Sequence, residues 1–174
     1  MVQSNQGESV SGTSKRLDVL NTSLIKKEEV LDRRFDQHFS TVRESNGQPL
    51  NDKRNGASTL ARWEKQSDGI RNQKAEIEKT KSAIEREQGK IADVEYWYKK
   101  MPKYLTDLID DGKIKQWRRH PRMLFVTGVD KARLVFDEDD GLVRHRYVKE
   151  IKDQEQFAIF RDLFNSINKM QGLA

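Results

Sequence analysis

The sequence predicts an α+β protein: a long helical hairpin or coiled coil, followed by a small module with a three-stranded antiparallel meander and a closing helix. Three observations carry this expectation. Six large apolar residues, Trp63, Ile70, Ile77, Ile84, Ile91 and Tyr98, stand seven apart in one register. A period of seven lines one helix face with a seam that wants a partner helix. Short β-rich runs separated by turn residues begin only after Arg122, and the last stretch returns to helical spacing.

Composition agrees. Of 174 residues, 35% are charged and 34% hydrophobic, the balance of an elongated helical protein with a small globular part. Cysteine is absent, which removes disulfides, thiolate nucleophiles and cysteine-held zinc or iron–sulfur sites. No run has the length of a signal-peptide core or a membrane span. The expectation is a soluble cytoplasmic protein.

Taken in order, residues 1–13 are polar and expected to form a disordered tail. The helical hairpin is expected over 14–101. Ser14 is a candidate N-cap for a first helix whose apolar face is Leu17, Leu20, Leu24, Leu31, Phe35 and Val42, ending near Ser45. The breakers Asn46-Gly47-Gln48-Pro49 and Asn55-Gly56 predict a loop over 46–56. Ser58 or Thr59 then caps a second helix running to about Met101, before Pro102. Its seam is half built, because the second apolar position, three or four residues on, reads Gln66, Gln73, Thr80 and Glu87 or Ser67, Lys74, Lys81 and Gln88, and only Val94 and Met101 fill it, near the end. Asp68-Gly69 is a strong turn dipeptide inside this helix, and a break there would give three helices. About 45 residues at 1.5 Å each make a rod of roughly 65–70 Å, which needs a partner along its length. The first helix is the nearest one, folding back antiparallel. It is shorter, so the uncovered part of the second helix, around Ile91, Val94 and Trp97, needs a second chain or the C-terminal module, and the seam from Trp63 to Tyr98 is expected to support self-association, as a dimer.

The module is expected over 102–174. Lys103 to Arg119 suits a short helix or helix pair. Met123–Val126 and Ala132–Phe136, separated by Gly128 to Lys131, read as a hairpin. Asp139-Asp140-Gly141 turns into a third strand over Leu142 to Val148. Asp153 to Met170 then places Phe157, Phe160, Leu163, Phe164, Ile167 and Met170 on one helical face.

The strongest functional signal is a basic and aromatic cluster over residues 96–122. Its cations are Lys99, Lys100, Lys103, Lys113, Lys115, Arg118, Arg119 and Arg122, and Trp117 lies among them. Eight Lys or Arg stand against three Asp there, a net +5 that equals the excess of the whole chain. Clustered cations attract phosphates by counterion release and aromatic faces stack on bases, so the cluster is a candidate nucleic-acid contact, DNA before RNA. The blander reading makes Trp97 and Trp117 core residues, and places Arg118 and Arg119 at a helix C-terminus where the dipole favours cations.

Other motifs are weaker. The run Asp137-Glu138-Asp139-Asp140-Gly141 resembles the start of a calcium loop, but position twelve from Asp137 is Val148, where a bidentate Glu is required. A solvated hairpin turn is the simpler reading. His38, His120 and His145 have no metal spacing to one another. Arg144-His145-Arg146-Tyr147 could coordinate a phosphate or bring a Tyr nucleophile beside cations, yet alternation alone puts Val143, His145 and Tyr147 on one strand face and Arg144 and Arg146 on the other. No phosphate loop, nucleophile elbow or nuclease arrangement has the right context. The expectation is a non-enzymatic accessory protein that binds nucleic acid, with no metal or cofactor. The competing expectation is an adaptor that recruits protein partners through its coiled coil.

Overall fold

The computed structural model describes residues 14–48 and 56–172. The tail expected over 1–13 and most of the expected loop lie outside the described residues. The architecture is α+β: two long helices packed together, then a four-stranded antiparallel sheet and a closing helix.

The hairpin comprises α1 (Lys15–Glu44) and α2 (Gly56–Lys100). Ser14 stands at the N-cap position but does not cap with its side chain; its Oγ donates instead to Glu87 Oε1 at 3.0 Å. At the other end, Asn46 and Gly47 take the left-handed conformation, and the Gly47 N–H donates to Val42 O at 3.0 Å. That closes α1 as a left-handed C-cap does. Helix α2 begins at Gly56, so Ser58 and Thr59 lie in its first turn and do not precede it. It also runs unbroken through Asp68-Gly69. There Arg34 Nη1 donates to Gly69 O at 2.7 Å and Ile70 is buried. Tertiary packing overrides the local turn preference.

Ile70, Ile77 and Ile84 are buried within a single chain, while the α1 residues of the expected apolar face are half-buried. The polar slots beside the isoleucine line carry the rest of the seam. Gln66 Oε1 accepts from Thr41 Oγ1 at 2.9 Å and lies 3.1 Å from His38 Nδ1. Gln73 Nε2 donates to Lys27 O at 2.9 Å, and Lys27 Nζ donates to Thr80 Oγ1 at 2.9 Å. Glu87, only 3% exposed, accepts from Ser14 and lies 3.8 Å from Arg16 Nε. These bonds run antiparallel from one end of α1 to the other. Each contributes about 0.5–1.5 kcal/mol, but a slipped register leaves buried polar groups unpaired at about 1–3 kcal/mol each. The half-built seam is thus a ladder that fixes register.

The chain divides into two compact units between Gln88 and Gly89, inside α2. In the second unit, the last turns of α2 lead to α3 (Lys103–Asp110), β1 (Ile114–Gln116), β2 (Met123–Val126), β3 (Arg133–Phe136), β4 (Val143–Arg146), a 3-10 turn (Val148–Glu150) and α4 (Gln154–Met170). The strands pair in sequence order, all antiparallel.

Three expectations are corrected here. The meander has four strands, because the segment read as a possible second helix is β1. Gly112, at φ 72, ends α3, and the Lys113 carbonyl accepts from Thr127 N–H at 3.0 Å. Three residues are too few for alternation to announce a strand. The expected third strand, now β4, stops at Arg146, because Tyr147 turns into the left-handed region at φ 64. Tyr147 therefore does not share the face of Val143 and His145. On α4, Phe160 and Ile167 are buried, whereas Phe157 and Met170 are 42% and 52% exposed. The apolar face of α4 is wider than the sheet it covers.

The core joins Ile114, Leu124, Val126, Leu134, Phe136 and Val143 from the sheet to Met101, Leu105 and Leu108 and to Phe160 and Ile167. Asp153 caps α4 by accepting from the Glu155 N–H at 2.9 Å. Among the described residues no helix is long and apolar enough to cross a membrane. Replacing Phe160 by Ala is expected to destabilise this unit by about 3–5 kcal/mol in urea unfolding. Phe157→Ala is expected to cost less than about 1 kcal/mol. Equal losses would mean that Phe157 is a core residue.

Candidate functional site

Alternation along the four strands gives the sheet two unlike faces. The inner row Gln116, Leu124, Leu134 and His145 runs across the strands in register; Leu124 and Leu134 are fully buried. His145 meets Phe164 of α4 edge-on at 5.0 Å. One residue along, the register sets Lys115 opposite Phe125, Phe125 opposite Arg133, and Arg133 opposite Arg146. Three cations and an aromatic ring thus form one continuous row on the outer face. A second outer row holds Met123, Val135 and Arg144, and the Trp117 N–H donates to Met123 O at 2.8 Å, which brings the indole to the edge of this row.

The side chains on this face are locked to one another. Arg133 lies over the Phe125 ring at 4.2 Å and Trp117 meets Phe125 at 5.5 Å. His120 packs edge-on to Trp117 at 4.7 Å. Arg122 lies over Trp97, from the last turns of α2, at 5.0 Å. Such cation–π pairs hold a guanidinium in place without neutralising it, so its N–H groups stay available to an anion. Trp97, Trp117, His120, Arg122 and Arg133 border a cleft of about 950 Å³, to which Arg119, Lys131, Arg146 and Tyr147 also contribute. Asp137 and Asp139 line it beyond Phe136, and Glu150 lines it beyond Arg146. Asp137 accepts from Arg144 and from the Asp139 N–H, and Arg144 also donates to Asp140.

Of the residues singled out from sequence, three border the cleft, Trp117, Arg119 and Arg122, while Lys115 stands in the outer row without lining it. The structure does not bring the others to the cleft. Lys100 is paired with Glu138 at 2.6 Å, and that hydrogen bond holds its ammonium above the ordinary lysine value. Lys113 pairs with Asp111 at 3.0 Å. Lys99, Lys103 and Arg118 are exposed and do not line the cleft. Sequence reasoning missed Phe125, Arg133 and Lys131, and met Arg146 only within the run Arg144 to Tyr147. The available signal was the polar phase of each strand, which marks Arg133 and Arg146 as outward once Leu134 and Val143 are assigned inward.

The acidic run is spent on pairing, since Asp137 and Asp140 take Arg144 and Glu138 takes Lys100. Among the described residues, no group of three or more His, Cys, Asp or Glu is placed to hold a metal ion. No protein-family model, curated protein or solved structure matches the chain.

The end of α2 is tied to α3 by the Tyr98 hydroxyl, which donates to Asp110 at 2.9 Å. That hydrogen bond, with some burial, raises the phenol above its ordinary value. A group raised on folding contributes stability that is fully present below its unfolded value, about 10 for Tyr, and is lost as pH rises through the folded value. The stabilising difference between wild type and Tyr98→Phe in urea midpoints is expected at pH 8 and should shrink at about pH 11. An unchanged difference would mean that the phenol proton is not shared with Asp110.

Proposed function

We propose that the outer face of the sheet binds nucleic acid, in a non-enzymatic protein that self-associates through its hairpin. The carrying observation is the row Lys115, Phe125, Arg133 and Arg146, which sets three cations around an aromatic ring on the outer face of the sheet. A polyanion gains by counterion release at such a row. The aromatic groups favour bases stacked on the face over bases read at their edges, so phosphate contacts position the ligand.

Self-association rests on α1. Ile25 and Phe39 are 58% and 53% exposed and, fourteen residues apart, fall on one side of the helix. Ile70, Ile77 and Ile84 are already buried within the chain, so the surface for a second copy lies on α1. Light scattering at micromolar concentrations is expected to give a dimer, and the double change Ile25→Lys with Phe39→Lys a monomer. A wild type that is already monomeric contradicts this part of the reading.

Binding is tested by mobility shift at several salt concentrations with single- and double-stranded DNA and RNA. Changing Arg119, Arg133 and Arg146 together to Ala should flatten the logarithmic salt slope by about 2–3 units, similarly for unrelated sequences. A triple variant that binds as wild type at about 150 mM salt would move binding off this face. A wild type that binds none of the four probes would favour an adaptor for protein partners.

A further inference from the structure

Seven described residues adopt the left-handed backbone conformation. Five are Gly and one is Asn, at Gly47, Gly112, Gly128, Gly141, Gly172 and Asn46. These are the residues that enter that region at least steric cost. The seventh is Tyr147, at φ 64 and ψ 19. A bulky side chain there is a genuine outlier, and such outliers concentrate at sites where the strain has a use.

Packing does not explain the choice of Tyr. Tyr147 is 50% exposed, and its hydroxyl makes no hydrogen bond among the described residues. The backbone turn needs no ring, because the Tyr147 carbonyl accepts from the Glu150 N–H at 3.0 Å, a bond any residue makes. What distinguishes the position is its place. Tyr147 directly follows Arg146, the last member of the outer row, and borders the same cleft as Trp117. Trp117 follows β1 and Tyr147 follows β4, the two edge strands of the sheet. The aromatic residues thus stand at opposite edges of the cationic row. Three strand spacings of about 4.8 Å separate those edges, roughly 14 Å, which is about four nucleotides at 3.4 Å per stacked base.

We infer that the cleft takes single-stranded nucleic acid, laid across the strands, with Tyr147 as a stacking platform for a base at the β4 edge. This rests on the nucleic-acid reading of the outer face and narrows it to unpaired bases. A duplex keeps its bases stacked on one another and offers Tyr147 only its backbone, so the ring discriminates between the two forms. The strained turn is what carries the ring to the edge of the cleft.

The test separates binding from folding, because removing the ring relaxes the backbone. The full chain and its variants Tyr147→Gly, Tyr147→Asn and Tyr147→Phe are titrated with labelled oligothymidine of about 20 nucleotides and with a duplex of equal length, by fluorescence anisotropy at about 50 mM salt. Thermal melting is recorded alongside. Tyr147→Gly and Tyr147→Asn are expected to melt at or above the wild-type temperature, and to bind oligothymidine about 5- to 100-fold more weakly with duplex binding within about twofold of wild type. Tyr147→Phe should bind as wild type. If both ringless variants bind oligothymidine as tightly as wild type does, the platform is overturned and the broader reading stands. Equal losses on duplex and single strand would also overturn it. Wild type that binds neither probe overturns both.

Discussion

The burial of one face of the sheet is the constraint on which the site depends. Leu124 and Leu134 are fully buried and paired in register. Each such side chain stabilises the fold by about 1.5–3 kcal/mol, so the inward phase of every strand is fixed. A slip of one residue would carry Phe125 and Arg133 into the core and expose the leucines. The same period of two that builds the core therefore forces Lys115, Phe125, Arg133 and Arg146 into one outward row. No separate device is needed to assemble it. Helices α3 and α4 contribute to the inner core alone, and the aromatic contacts from Trp117 and the Arg122–Trp97 pair then hold the outer residues in place.

The helical hairpin solves a different problem with weaker means. An isoleucine every seven residues is too narrow a stripe to pin two long helices by burial alone. Gln66, Gln73, Thr80 and Glu87 supply what the apolar line lacks, since each has a partner on or beside α1 at a matching height. Polar groups in a seam trade stability for a single register, the best-attested use of such residues. Lys27 is central to this, because its backbone carbonyl and its ammonium engage successive rungs.

The helices were legible in the sequence, because a seven-residue period sustained over several turns survives any local ambiguity. Strands β2 and β3 were legible for the same reason in a different period. Strand β1 was not, because three residues between a Gly turn and Trp117 give one alternation and no more. The end of β4 was missed because nothing in a tyrosine announces a left-handed backbone. Most of the outer row was hidden by distance along the chain. Lys115 belongs to the basic window over 96–122, but Arg133 and Arg146 join it only through strand pairing, which a one-dimensional charge count does not see. Lys100 and Lys113 belong to that window too, yet carboxylates at Glu138 and Asp111 take them.

The central claim is that a single sheet face binds nucleic acid, and it is tested most directly by mapping the ligand onto the protein. Unlabelled oligothymidine titrated into isotope-labelled full-length protein should shift the amide resonances of Lys115, Phe125, Arg133 and Arg146 and the indole of Trp117 in nuclear magnetic resonance spectra. Those of Val19, Ile25 and Phe39 on α1 should stay in place. Shifts confined to α1 and α2, or none at saturating oligonucleotide, would contradict the account.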